Sequence, residues 1–195
     1  MEETKNRIKE KARALFLADG YQKTTIRAIA RAADVNPALV IYYFKNKESL
    51  FQKIVEEGIA SIAPRITRIL DGNGSLHKKI HDYVHTYTDL LLASPDLPLF
   101  VMSEMRANPR RFLEISSFQH MYHSVRFFEQ VEKATSGRVD PRYLYLNLVA
   151  LTVFPFIMQP VLGAVYHLED DQAFRAFVAE RKQMVVAAIA GMLQA

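Results

Sequence analysis

The chain contains no cysteine, so disulfides, thiolate metal sites and cysteine nucleophiles are excluded together. That absence also suits a reducing, cytoplasmic setting. Glycine and proline are scarce, seven and eight residues, and they fall at breaks between apolar-periodic stretches instead of forming a linker. There is no internal repeat and no low-complexity tract. The opening residues, MEETKNRIKEK, hold no apolar run of the kind a secretion signal needs. Also missing are a phosphate-cradling GxxxxGK sequence, a GxGxxG turn, a GxSxG elbow and an HExxH pair. The expectation is therefore a protein that binds rather than catalyses, with no cofactor.

What is present is helical spacing over most of the chain. Half of the residues are apolar, which suffices for one sizeable core or two smaller ones. Ile8, Ala12, Leu15 and Phe16 recur on one face of a first helix expected over 4–18, with Gly20 just past its end. Asn46 can cap a longer helix carrying Leu50, Phe51, Ile54, Val55, Ile59 and Ile62, which Pro64 should kink or end. After the Asp71-Gly72-Asn73-Gly74 turn, a helix is expected over 76–92, with a break at 94–98. A longer segment is expected from Asn108-Pro109 to about 136, the next from Asp140-Pro141, and a final helix from Asp170 or Asp171 to near the C-terminus. The fold class is all-α.

Residues 25–47, TIRAIARAADVNPALVIYYFKNK, read as two short helices joined by a tight turn. Thr25 can cap the first, whose apolar face is Ile26, Ile29, Ala30 and Ala33. Asn36 can cap the second, with Pro37 at the first helical position, where a missing N–H costs nothing. Asp34 sits where the turn needs a left-handed backbone. Such a pair can put its second helix into the major groove of DNA. Charge supports this: residues 1–55 hold eleven Lys or Arg against six Asp or Glu, and the rest holds fourteen against fifteen. All of the net positive charge thus lies with the helix pair, where phosphates would be neutralised. A helical protein-binding module, docking its basic head to an acidic protein without DNA, stays open as an alternative.

From Ala14 to Leu50 the chain combines LF at 15–16, Gly20, TT at 24–25, IA at 29–30, DVN at 34–36, YYF at 42–44 and KNKESL at 45–50. In these spaced positions it resembles the DNA-binding domain of the TetR/AcrR family of bacterial transcriptional regulators. The resemblance implies a three-helix DNA-binding domain over 1–47, with its helix-turn-helix, and a helical effector-binding and dimerisation domain over 48–195. It also implies a homodimer that holds a near-palindromic double-stranded DNA operator, usually as a repressor, and lets go when a small molecule binds. Carried onto this chain, DNA contacts are expected from Thr24, Thr25, Arg27, Asn36, Pro37, Ala38, Ile41, Tyr42, Tyr43 and Lys47. Asp34 departs from the family's usual turn glycine. Ile41 stands where a Tyr commonly reaches a phosphate, leaving Tyr42, Tyr43 and Lys47 as the expected phosphate contacts.

The second part of the chain is rich in Phe, Tyr and Met. Most of these must be core, but flexible Met beside flat aromatics suits a small apolar or aromatic effector held between helices. Phe100, Met105, Phe118, Met121, Tyr122, Phe154 and Met158 are the candidate ligand contacts. Residues 143–168 carry no charged residue and are long enough to span a bilayer, yet Pro155, Pro160, Asn147 and Gln159 argue for burial in protein instead. This segment and the last helix, with Ala187, Ala188, Ala190 and Gly191, form the expected dimer seam. His77, His81 and His85 lie four apart on one helix, a spacing that can chelate a transition metal, so a metal-responsive regulator is a second alternative. The three lie away from that helix's apolar face, and exposure or a domain contact accounts for them more simply.

Overall fold

A computed structural model describes residues 1–114, 119, 121 and 124–194. Every regular element among them is a helix. The chain divides into two compact units, Met1–Gly58 and Ile59–Ala195.

The first unit contains α1 (Glu2–Lys23), α2 (Ile26–Ala32), α3 (Pro37–Phe44) and the opening turns of α4 (Lys47–Asp71). Gly20 breaks the helical backbone of α1 at φ 78°, as its sequence position suggested, but one more turn follows before Thr24. The core of this unit is built from Ile8, Ala12 and Phe16 of α1, Ile29 and Ala30 of α2, Val40 and Phe44 of α3, and Leu50 and Val55 of α4. Phe16, Tyr21 and Phe51 pack as an aromatic trio with centroids 5.0 to 5.6 Å apart. Because Phe51, Ile54 and Val55 belong to this core, the unit extends to Gly58, past the boundary at 47 expected from the sequence.

In the second unit α4 does not end at Pro64; it continues to Asp71. Pro64 lacks the N–H that would bond to Ala60, and both residues are exposed, so water can serve the freed carbonyl. Next come α5 (Leu76–Ala93), α6 (Leu97–Ala107) and the short α7 (Pro109–Leu113). The sequence suggested one segment from 108 to 136; instead a separate helix, α8 (Val125–Thr135), starts at Ser124. The Ser124 hydroxyl accepts from the Phe127 N–H and donates to Asp71 Oδ1 at 2.6 Å, so one side chain both begins α8 and ties it to the end of α4.

The apolar stretch near 143–168 forms α9 (Pro141–Ile157) and α10 (Gln159–Tyr166), bent by 67° around Met158. Pro160 removes the N–H that would carry α9 onward. No single helix among the described residues is long and apolar enough to cross a membrane. The last helix is α11 (Asp171–Met192), capped by the Asp170 carboxylate. Helix α5 lies at the centre, packing against α8, α9 and α11 through Ile80, Tyr83, Val84 and Leu91. Phe127, Leu148, Phe156 and Phe174 complete this core.

Candidate nucleic-acid interface and effector cavity

The helix pair is set by its caps. Thr25 Oγ1 accepts from the Ala28 N–H at 3.1 Å and starts α2; Asn36 Oδ1 accepts from the Ala38 N–H at 2.8 Å and starts α3. Asp34 adopts φ 50°, the left-handed turn backbone expected there. Val40 and Phe44 face inward, which fixes the opposite face of α3 as the outer one. On that face Pro37 and Ala38 are exposed, with Ile41 50% and Tyr42 74% exposed. Tyr43 is half-buried, its ring between those of Tyr42 and Phe44 at 5.3 and 6.3 Å. Arg27 on α2 is exposed.

Two of the expected DNA contacts have other partners. Thr24 is only 2% exposed, and its hydroxyl lies within hydrogen-bonding distance of the carbonyls of Leu15 and Gly20. Its side chain therefore ties α1 together and does not reach the surface. The Lys47 ammonium donates to the carbonyls of Tyr21 and Thr24 at 2.7 and 2.9 Å and lies 4.2 Å from the centroid of the Tyr21 ring. Two of its three N–H groups are engaged in holding the end of α1, which leaves one for a phosphate.

In the second unit a narrow cavity of about 100 Å³ lies between helices. Its walls are Ile59 and Ile62 of α4, Tyr87 and Leu91 of α5, Leu97, Pro98, Val101, Met102 and Met105 of α6, Met121, and Val153 of α9. Met105 and Met121, two of the expected ligand contacts, border this cavity. Phe100 is buried in the core and does not line it, because it points to another side of α6. Phe154 and Met158 do not line it either: Phe154 is mostly exposed and Met158 half-buried. Phe118 and Tyr122 fall outside the described residues. Met102, three residues before Met105 on the same helix, and Ile59 and Ile62 of α4 were not among the expected ligand contacts; the i, i+3 spacing of each pair was the available signal. A larger hollow, about 1130 Å³, runs past α8, the 137–140 turn and the start of α9. It is an open groove in which Glu132, Arg138, Asp140 and Arg142 stand beside Phe128, Tyr145 and Leu146.

Helices α9, α10 and α11 present an uncovered apolar surface. Tyr143, Leu146, Phe154, Val165, Tyr166 and Met184 are each more than half exposed, and Ala187, Ala188 and Gly191 lie exposed on α11. His81 and His85 stack on α5 with centroids 4.1 Å apart, and His85 Nε2 lies 3.4 Å from the Gln183 amide of α11. Burial, then the neighbouring His81 and Lys182, lower the pKa of His85 below its ordinary value. Among the described residues no group of three or more His, Asp or Glu side chains could hold a metal ion, so the three-histidine stripe does not close into a site.

Comparison with known proteins agrees with this geometry. Residues 8–54 match the family of bacterial regulatory proteins described as the tetR family. A probable HTH-type transcriptional regulator of Bacillus subtilis strain 168, YttP, is 26% identical over 178 residues, covering 88% of this chain and 86% of its own. A tetR-family regulatory protein from Rhodococcus RHA1 shares the fold with a TM-score of 0.75 at 23% identity, covering 97% of this chain and 98% of that one. The transcriptional regulator FadR from Bacillus subtilis, solved in complex with stearoyl-CoA, shares it with a TM-score of 0.66 at 14% identity, over 92% of this chain and 96% of that one.

Proposed function

We propose that the chain, whose residues 8–54 match the tetR family and which aligns over most of its length with a probable HTH-type transcriptional regulator, is a DNA-binding regulator that acts as a homodimeric repressor released from its operator by a small apolar effector. The match over residues 8–54 and the regulator relative favour DNA binding over a protein-docking module or catalysis. The observation that carries the reading is the outer face of α3, a helix started by the Asn36 cap and left uncovered at Pro37, Ala38, Ile41 and Tyr42. In this reading α3 enters the major groove, while Thr25, Arg27, Tyr42, Tyr43 and the free N–H of Lys47 fix its register through phosphates.

The apolar surface of α9 to α11 supports dimerisation, since a patch of this kind on an unpartnered chain would face water at a cost. Two copies of α3 separated by roughly 34 Å, one turn of DNA, would meet one face of a near-palindromic site. The effector is proposed to enter beside Met102 and Met105, both about two-fifths exposed at the cavity wall. A volume of about 100 Å³ holds only a small ring or part of a chain, so a larger ligand needs these flexible side chains to retreat. The stearoyl-CoA bound to the Bacillus FadR, a protein of the same fold, makes a long acyl chain the first effector class to try.

The test is to capture genomic fragments on the purified protein at low salt, then repeat with fatty acyl-CoA, free fatty acids and polycyclic apolar compounds. A short set of near-palindromic sites, lost with one of these classes, is the expected result. Failure to enrich any fragment would sink the proposal, and a reporter gene behind the enriched site then gives the sign of control.

A further inference from the structure

We propose that this chain selects its DNA through the 5-methyl groups of thymine, with Ile41 as the residue that determines specificity. The inference rests on the DNA-binding reading above and supplies what that reading leaves open, the base chemistry that α3 reads. The argument follows from which groups at the tip of α3 remain free. Paired recognition of adenine needs the oxygen and the nitrogen of one amide together, and paired recognition of guanine needs an Arg or Lys reaching O6 and N7. The helix itself, PALVIYYF, contains neither amide nor charge. The amide beside it, Asn36, already uses its oxygen to cap the helix at 2.8 Å. The nearby threonines are occupied likewise, Thr25 as the cap of α2 and Thr24 buried against α1.

What remains uncovered is an apolar tip, with Ile41 half exposed at its centre. The major-groove edge of a base pair carries one apolar feature, the thymine methyl; cytosine has bare C5–H there, and the purines offer only donors and acceptors. The occupant is duplex DNA, not an apolar partner protein, because the net positive charge of the chain lies in its first 55 residues, and the exposed Arg27, Arg31 and Lys45 lie on or directly after α2 and α3. Placing Ile41 against a thymine methyl removes both apolar groups from water, whereas cytosine offers no methyl to cover and a purine edge sets desolvated polar groups against the side chain.

The test uses the full chain and a duplex selected by it from a random-sequence pool. Each thymine is then replaced, position by position, by uracil, which deletes the methyl and keeps every hydrogen-bonding group. One or two thymines per half-site should each weaken binding roughly four-fold when demethylated, and 5-methylcytosine should be tolerated better than cytosine in their place. Ile41→Ala should bind the thymine duplex as weakly as the native chain binds the uracil duplex, and should not distinguish the two. Equal binding of thymine and uracil duplexes by the native chain overturns the inference, as does full discrimination by Ile41→Ala. The native-chain comparison stands alone should that variant fold poorly. If no duplex is retained even at low salt, the DNA-binding reading fails instead, and this inference falls with it.

Discussion

At Lys47 one ammonium serves two carbonyls of a neighbouring helix end and an aromatic ring, so its removal should be felt first in stability. Lys47→Met is expected to destabilise the first unit by about 2 kcal/mol, the scale of lost hydrogen bonds to a charged group, measured by urea unfolding. If its third N–H also meets a phosphate, the salt slope of DNA binding should fall by roughly one. An unchanged slope would leave Lys47 a positioning residue alone. Thr25→Ala and Asn36→Ala should each cost about 1 kcal/mol in thermal or urea unfolding, as lost N-caps do. The caps, the proline at the start of α3 and the left-handed Asp34 were legible as local chemistry, because each depends on neighbours within four residues. The difference between Thr24 and Thr25 was not legible. Adjacent and alike in sequence, they part only because the backbone leaving α1 turns one hydroxyl inward and leaves the other beside the free N–H groups of α2.

Where helices meet, the partners come from far along the chain. His85 of α5 faces His81 and Asp82 on its own helix, Asp89 one turn on, and Lys182 and Gln183 of α11. Its lowered pKa means that the unfolded chain takes up the proton first as pH falls below about 6.5. Stability should therefore decline with acidification from that point. His85→Gln should flatten the difference in urea midpoint between pH 7.5 and pH 5.5, and an unaltered difference would assign the acid sensitivity elsewhere. Around the cavity, Val153→Phe should fill space between α4, α5 and α6. Such a variant is expected to keep DNA affinity while losing release by apolar compounds, read by fluorescence anisotropy on a captured site. Of the cavity wall the sequence marked Met105 and Met121 by residue type, whereas Phe154, of equal apolarity, lies on the outer surface. Composition cannot make that distinction, because it depends on which side of α9 the other helices cover.

For the molecule as a whole, the exposed stripe on α9 to α11 predicts self-association. Leu146→Glu together with Met184→Glu, both exposed in the single chain, should yield a folded monomer by sedimentation and weaken operator binding by orders of magnitude. A dimer that survives both substitutions would move the seam elsewhere. The sequence by itself determined the helical class, the N-terminal reading head with its excess of positive charge, and the absence of cysteine chemistry. Those features rest on periodicity, capping and composition, which act over a few residues or over none. Only the tertiary structure decided that α4 runs through Pro64, that α7 ends at Leu113 and α8 starts afresh after Ser124, and that the 143–168 stretch bends at Met158. It also decided which apolar side chains border a cavity and which face outward. Each of these depends on long-range packing, where a proline can be tolerated on a wet face or a serine can bind a carboxylate more than fifty residues away.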